Sequence, residues 1–67
     1  MTQLTRATLS SIGRYGREKC LKAFALNHGQ GEGASTIGIM LGLTTRQADA
    51  AINAGREIAA SEQIGGT

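Results

Sequence analysis

Apolar residues along the chain recur at helical intervals, with no alternating run long enough for a confident strand. Cys20, Leu21, Phe24, Ala25 and His28 follow i, i+1, i+4, i+5 and i+8 spacing, with Arg17, Glu18, Lys19 and Lys22 on the wet side. The pattern predicts a helix ended by Gly29, because glycine takes a left-handed C-cap without a Cβ clash. A looser pattern precedes it, comprising Leu4, Ala7, Leu9, Ile12 and Tyr15, with Thr2 or Thr5 as N-cap. Gly13 and Gly16 each cost about 1 kcal/mol against alanine inside a helix, so a bend or break is expected near 13–16.

The stretch "HGQGEGAS" (28–35) has glycines at 29, 31 and 33 and predicts a loop. A short third helix follows over about Ser35–Met40, with Ser35 as N-cap. Ala34, Ile37, Gly38 and Leu41 lie at i, i+3, i+4 and i+7, and Gly42 ends it. Thr44 and Gln47 have the spacing of a capping box. The fourth pattern is the cleanest. Ala48, Ala51, Ile52, Gly55, Ile58 and Ala59 form a narrow apolar stripe, while Arg46, Asp49, Ala50, Asn53 and Arg56 lie mostly off it. This helix is expected from about Thr45 to Ala60. The predicted architecture is all-α, a small three- to four-helix domain over residues 1–64, with a frayed tail at 65–67.

Sixty-seven residues make one domain, and a chain of that size buries only about 60% of its unfolded surface. Staples are excluded, since Cys20 is the sole cysteine and no Cys/His cluster has zinc-ligand spacing. Cys20 is expected as a small buried apolar residue. A homodimer would enlarge the core, through the Leu4/Leu9/Ile12/Tyr15 face or the region of Ile58 and Ile64. No apolar run approaches the roughly 18 residues of a membrane span, and no secretory h-region is visible, so a cytoplasmic location without membrane contact is expected.

The net charge of +2 hides an asymmetry. Residues 1–28 carry Arg6, Arg14, Arg17, Lys19 and Lys22 against Glu18, a balance of +4. Residues 29–67 carry Arg46 and Arg56 against Glu32, Asp49, Glu57 and Glu62, a balance of −2. Attraction to a polyanion must come largely from the first half. Enzyme chemistry finds no support. The glycine loop lacks the lysine of a P-loop, with Ala34 in its place, and follows a helix where a dinucleotide fingerprint follows a strand. His28 has no acidic or cysteine neighbour at triad or ligand spacing. No catalytic residue, metal or cofactor is expected.

The last two patterns together form a helix-turn-helix, motif 34–54. Gly38 fits where the two helices cross closely, and Gly42 supplies the positive φ of the turn. Leu43 plugs the space beneath it, and Ala48 with Ala51 and Ile52 anchors the second helix. In this arrangement the second helix enters the major groove of duplex DNA with its first turns against base edges. The expected base-reading residues are Thr45, Arg46, Gln47, Asp49, Ala50 and Asn53. Arg46 suits guanine, Asn53 or Gln47 suits adenine, and Ala50 suits a thymine methyl. Arg14, Arg17, Lys19, Lys22, Thr36, Thr44 and Arg56 are expected on phosphates.

The segment "STIGIMLGLTTRQADAAINAGREIAA", with "CLKAFALNHGQGEG" before it, resembles the helix-turn-helix of the KorA/TrfB-type repressors of broad-host-range plasmids. The likeness covers residues 20–60 and rests on "LGLT" and the anchor spacing. It implies a small dimeric repressor on a palindromic operator, with Arg46, Gln47, Ala50 and Asn53 on the reading face. The rival expectation is a helical protein-interaction module, an inhibitor or adaptor acting on host transcription machinery such as RNA polymerase.

Overall fold

The computed structural model describes residues 4–66, with side chains as far as Glu62. Four helices follow one another: α1 (Arg6–Tyr15), α2 (Arg17–Gln30), α3 (Ala34–Leu41) and α4 (Thr45–Gly66), with no strand among the described residues. The domain is therefore all-α. No helix among the described residues is long and apolar enough to cross a membrane.

Thr5 caps α1, its hydroxyl accepting the N–H of Thr8 at 3.2 Å. Thr2, the other candidate cap, lies outside the described residues. The break expected near 13–16 falls at Gly16, which ends α1 and starts α2 at φ 92°. The inward face of α1 differs from the apolar pattern. Thr8 and Ser11 are buried (2% and 8% exposed), with Leu4, Ile12 and Tyr15 packed partly against the core. Ala7 is exposed, and Leu9 is 56% exposed. No fully buried side-chain polar atom among the described residues lacks a hydrogen-bond partner, and the Thr8 hydroxyl accepts that of Thr5 at 3.1 Å.

In α2 the buried residues are Cys20, Ala23 and Leu26, with Leu21 and Phe24 half-buried and Ala25 and His28 exposed. Ala23 and Leu26 are therefore buried where the apolar spacing leaves them out, while Cys20 and Phe24 keep their place against α4. A Cβ on Gly55 would stand 2.1 Å from the Cys20 carbonyl oxygen and 2.6 Å from the Phe24 Cβ. Gly55 is thus pressed by the α2 backbone at Cys20 and by the Cβ of Phe24, two residues of the face that the spacing predicts. Nor does α2 stop at Gly29. It runs to Gln30, and Gly31 takes the left-handed conformation at φ 71°. Its N–H donates to the Asn27 carbonyl and that of Glu32 to the Leu26 carbonyl, both at 3.1 Å, while Asn27 Nδ2 donates to the Glu32 carbonyl at 2.8 Å. The five-residue closure from Gly31 to Asn27 is that of a left-handed C-cap, which needs its glycine after the last helical residue.

α3 begins at Ala34 with Gly33 as its cap, which puts Ser35 inside the first turn. Ile37 and Gly38 are buried, and Ala34 and Leu41 pack partly against the core, as the spacing predicts. In α4 the stripe Ala48, Ala51, Ile52, Gly55 and Ile58 is buried, and Ala54 joins it. The burial is wider than the stripe because α4 touches all three other helices. The helix also continues past Ala60 as far as Gly66; Thr67 lies outside the described residues.

Glu57 ties α1 to α4. Its Oε1 accepts the Thr5 N–H at 2.9 Å, and its Oε2 accepts the Thr5 hydroxyl at 3.0 Å. The hydrogen bond from the Thr5 backbone, then those from the Thr8 and Thr5 hydroxyls, hold the Glu57 carboxyl below its ordinary 4.5. A lowered carboxyl stabilises the fold above its unfolded pKa and loses that contribution as pH falls through the folded value. Glu57→Gln should therefore melt at a lower temperature at neutral pH, and its difference from the parent should shrink as pH drops below about 4.5 in thermal unfolding. Gly55→Ala should destabilise by about 3 kcal/mol in urea unfolding, the upper end for overpacking, because backbone has to move. Gly29→Ala, with open space around its Cβ, should instead stabilise by roughly 0.5–1 kcal/mol.

Candidate nucleic-acid interface

The turn between α3 and α4 is Gly42, Leu43 and Thr44. Gly42 sits at φ 74°, and the Leu43 N–H donates to the Gly38 carbonyl at 2.7 Å. Leu43 packs against the core beneath the turn. Gly38 is required more strictly than a helix crossing would demand. A Cβ there would lie 2.6 Å from the Leu43 carbonyl oxygen and 3.3 Å from Thr44 backbone atoms. Its close neighbour is the turn backbone, so even alanine is excluded.

Thr44 and Gln47 form the reciprocal cap that their spacing predicts. Gln47 N–H donates to Thr44 Oγ1 at 3.1 Å, and the Thr44 N–H donates to Gln47 Oε1 at 3.0 Å. Beyond this cap, Thr45, Arg46, Asp49, Asn53 and Arg56 are exposed, while Gln47 and Ala50 are half-buried. The exposed five recur at helical spacing on the side of α4 opposite Ala48, Ala51, Gly55 and Ile58, forming one polar edge. Gln47 stands apart from it, because its amide oxygen is already engaged.

The upstream cations are arranged unevenly. Arg14 is exposed in the last turn of α1, and Thr36 is exposed near the start of α3. Lys19 and Lys22 border a groove shared with Leu41, which brings them beside the end of α3. Arg17 borders the same groove but is ion-paired with Glu62 of α4, both ends half exposed. An exposed pair of this kind contributes little, ~0–1 kcal/mol, and is easily exchanged.

Phe24 and His28 were not expected as a pair. Their rings stack at 5.2 Å with planes 13° apart, beside Arg56, Ala59 and Ala60. Their i, i+4 spacing is the signal that would have found them. Cys20 is fully buried, and burial pushes its thiol above the ordinary value, which disfavours the reactive thiolate. Among the described residues no three His, Cys, Asp or Glu side chains gather as a metal site.

Comparison with protein-family models, with curated proteins and with solved structures finds no match for this chain. What the surface can do follows from its own geometry. Thr44→Ala removes the cap acceptor and should cost about 1 kcal/mol in unfolding free energy, with the amides of residues 45–47 showing faster hydrogen exchange.

Proposed function

We propose that the chain is a sequence-specific double-stranded DNA-binding regulator that docks α4 in the major groove. The observation that carries this reading is the capped start of α4, held by the Gly38–Leu43 turn, with Thr45, Arg46, Asp49 and Asn53 exposed on one edge. A helix of this kind, preceded by a short helix and a three-residue turn, has the form of a helix-turn-helix. Arg46 reads guanine through its guanidinium fork, and Asn53 reads adenine. With Gln47 Oε1 engaged in the cap, Asn53 is the stronger adenine reader. Asp49 accepts from cytosine or orients Arg46, and Ala50 meets a thymine methyl at the edge of the contact. Arg14, Lys19, Lys22, Thr36, Thr44 and Arg56 supply phosphate contacts, joined by Arg17 when it leaves Glu62.

The protein acts, in this reading, as a repressor in the manner of the KorA/TrfB-type proteins, occluding a palindromic operator as a homodimer. A cytoplasmic, nucleoid-associated location goes with that role.

A second reading, a protein-interaction module, is favoured by one observation. Ile39 and Met40 on the outer side of α3 are 82% and 53% exposed. Duplex binding that weakens steeply with salt, with a slope counting phosphates, separates the two. Absence of duplex binding even at low salt removes the DNA reading.

Selection of bound sequences from random duplex DNA is the direct test, and a palindrome with half-sites about 10 base pairs apart would establish the dimer. Arg46→Ala should cost about 1–3 kcal/mol of operator affinity and relax preference at one base pair, whereas Lys22→Ala should weaken all sequences alike and reduce the salt slope by about one. Identical behaviour of the two variants would refute the assigned docking.

A further inference from the structure

Where α1 passes into α2, the surface folds into an open groove of about 510 Å³, within the roughly 300–1,000 Å³ range of small-molecule sites. One wall is apolar, made by Tyr15, Gly16 and Leu41. The charged lining is Arg17, Lys19 and Lys22 against Glu18 alone. Three of the chain's seven Lys and Arg side chains thus border a single groove. Among the described residues the one ion pair is that of Arg17 with Glu62, so Lys19 and Lys22 face the groove without a carboxylate partner.

The two halves of this lining ask for different things. Unpaired lysines attract a multiply charged anion, as compact point charges do for phosphate. The tyrosine and leucine wall is suited to a flat apolar body, which a bare anion leaves unused. A phosphate carried on a planar ring satisfies both.

We propose that this groove binds a ligand of nucleotide class, its phosphate held by Lys19 and Lys22 and its ring laid against Tyr15 and Leu41. The site is distinct from the exposed edge of α4, so binding of the free ligand does not depend on whether α4 reads DNA. Where it does, Lys19 and Lys22 are shared with the duplex backbone, and the nucleotide competes for them.

The test is amide-shift mapping and calorimetry on the full chain with three probes: adenosine 5′-monophosphate, inorganic phosphate and a short duplex, each alone. Adenosine monophosphate should shift the amides of residues 15–22 and 41, and inorganic phosphate should bind roughly tenfold more weakly for want of a stacking contact. Lys19→Gln with Lys22→Gln should weaken the mononucleotide about tenfold or more, with an unchanged melting temperature showing that the fold survives. Glu62→Gln, which frees Arg17, should tighten binding about twofold. The proposal is overturned if millimolar mononucleotide leaves these amides unmoved, if phosphate binds as well as the mononucleotide, if the lysine variant binds normally, or if only the duplex shifts the cluster. Loss of duplex binding with retained mononucleotide binding would count against the DNA reading alone.

Discussion

The approach of α2 to α4 at Gly55 governs the rest of the structure. There the Cys20 carbonyl occupies the place a Cβ would need, so the two backbones touch without an intervening side chain. Around this point the core uses small residues, with Cys20, Ala23, Ala48, Ala51 and Ala54 buried and nothing larger than isoleucine fully enclosed. Small side chains bury little area each, but they let helices approach until many atoms reach van der Waals distance at once. A chain with a single phenylalanine and a single tyrosine obtains a dense centre in this way. The dependence also runs outward. α4 touches every other helix, so its placement by Gly55 fixes where α1 and α3 can dock.

The same contact explains which helices were legible in the sequence. α4 was legible because its inner side is crossed by all its partners, so small and apolar residues gather there at strict helical spacing. In α2, two faces fit a helical period and share Cys20: the larger with Leu21, Phe24, Ala25 and His28, and the smaller with Ala23 and Leu26. Hydrophobicity favours the first. Burial follows the second, although Phe24 of the first also meets Gly55, and no local pattern encodes that contact. In α1 the buried Thr8 and Ser11 read as polar surface, because hydroxyl residues add nothing to an apolar pattern. The glycine punctuation was legible in kind but not always in place. Gly16 and Gly42 break the chain where expected, whereas the stop assigned to Gly29 falls to Gly31, which alone has the positive φ at that end.

At the candidate site the local features were legible and the distant ones were not. The Thr44–Gln47 cap, the Gly42 turn and the outward positions of Arg46, Asp49 and Asn53 follow from spacing within a dozen residues. The pairing of Arg17 with Glu62 joins the start of α2 to the last turns of α4 and left no sequence signal. The position of Lys19 and Lys22 beside Leu41 is likewise a product of tertiary packing. It answers the difficulty posed by the charge balance, in which the half holding the turn is acidic and the half preceding it is basic. Folding carries cations from the first half to the end of α3.

The buried stripe and the exposed polar edge of α4 are separated by rotation about one axis, and the cap lies at the start of that helix. Gln47 closes the first turn through its side-chain oxygen, and Ala48, one residue on, is fully buried. Together they leave Arg46 and Asp49 no orientation except outward. Substituting these two residues or Asn53 removes no buried contact, so the exposed edge can change its chemistry at little cost to the fold. Gly38 and Gly55 lack that freedom, since each is pressed against backbone. Steric constraint is thus concentrated in two glycines, while the exposed polar edge is bound by packing at none of its positions.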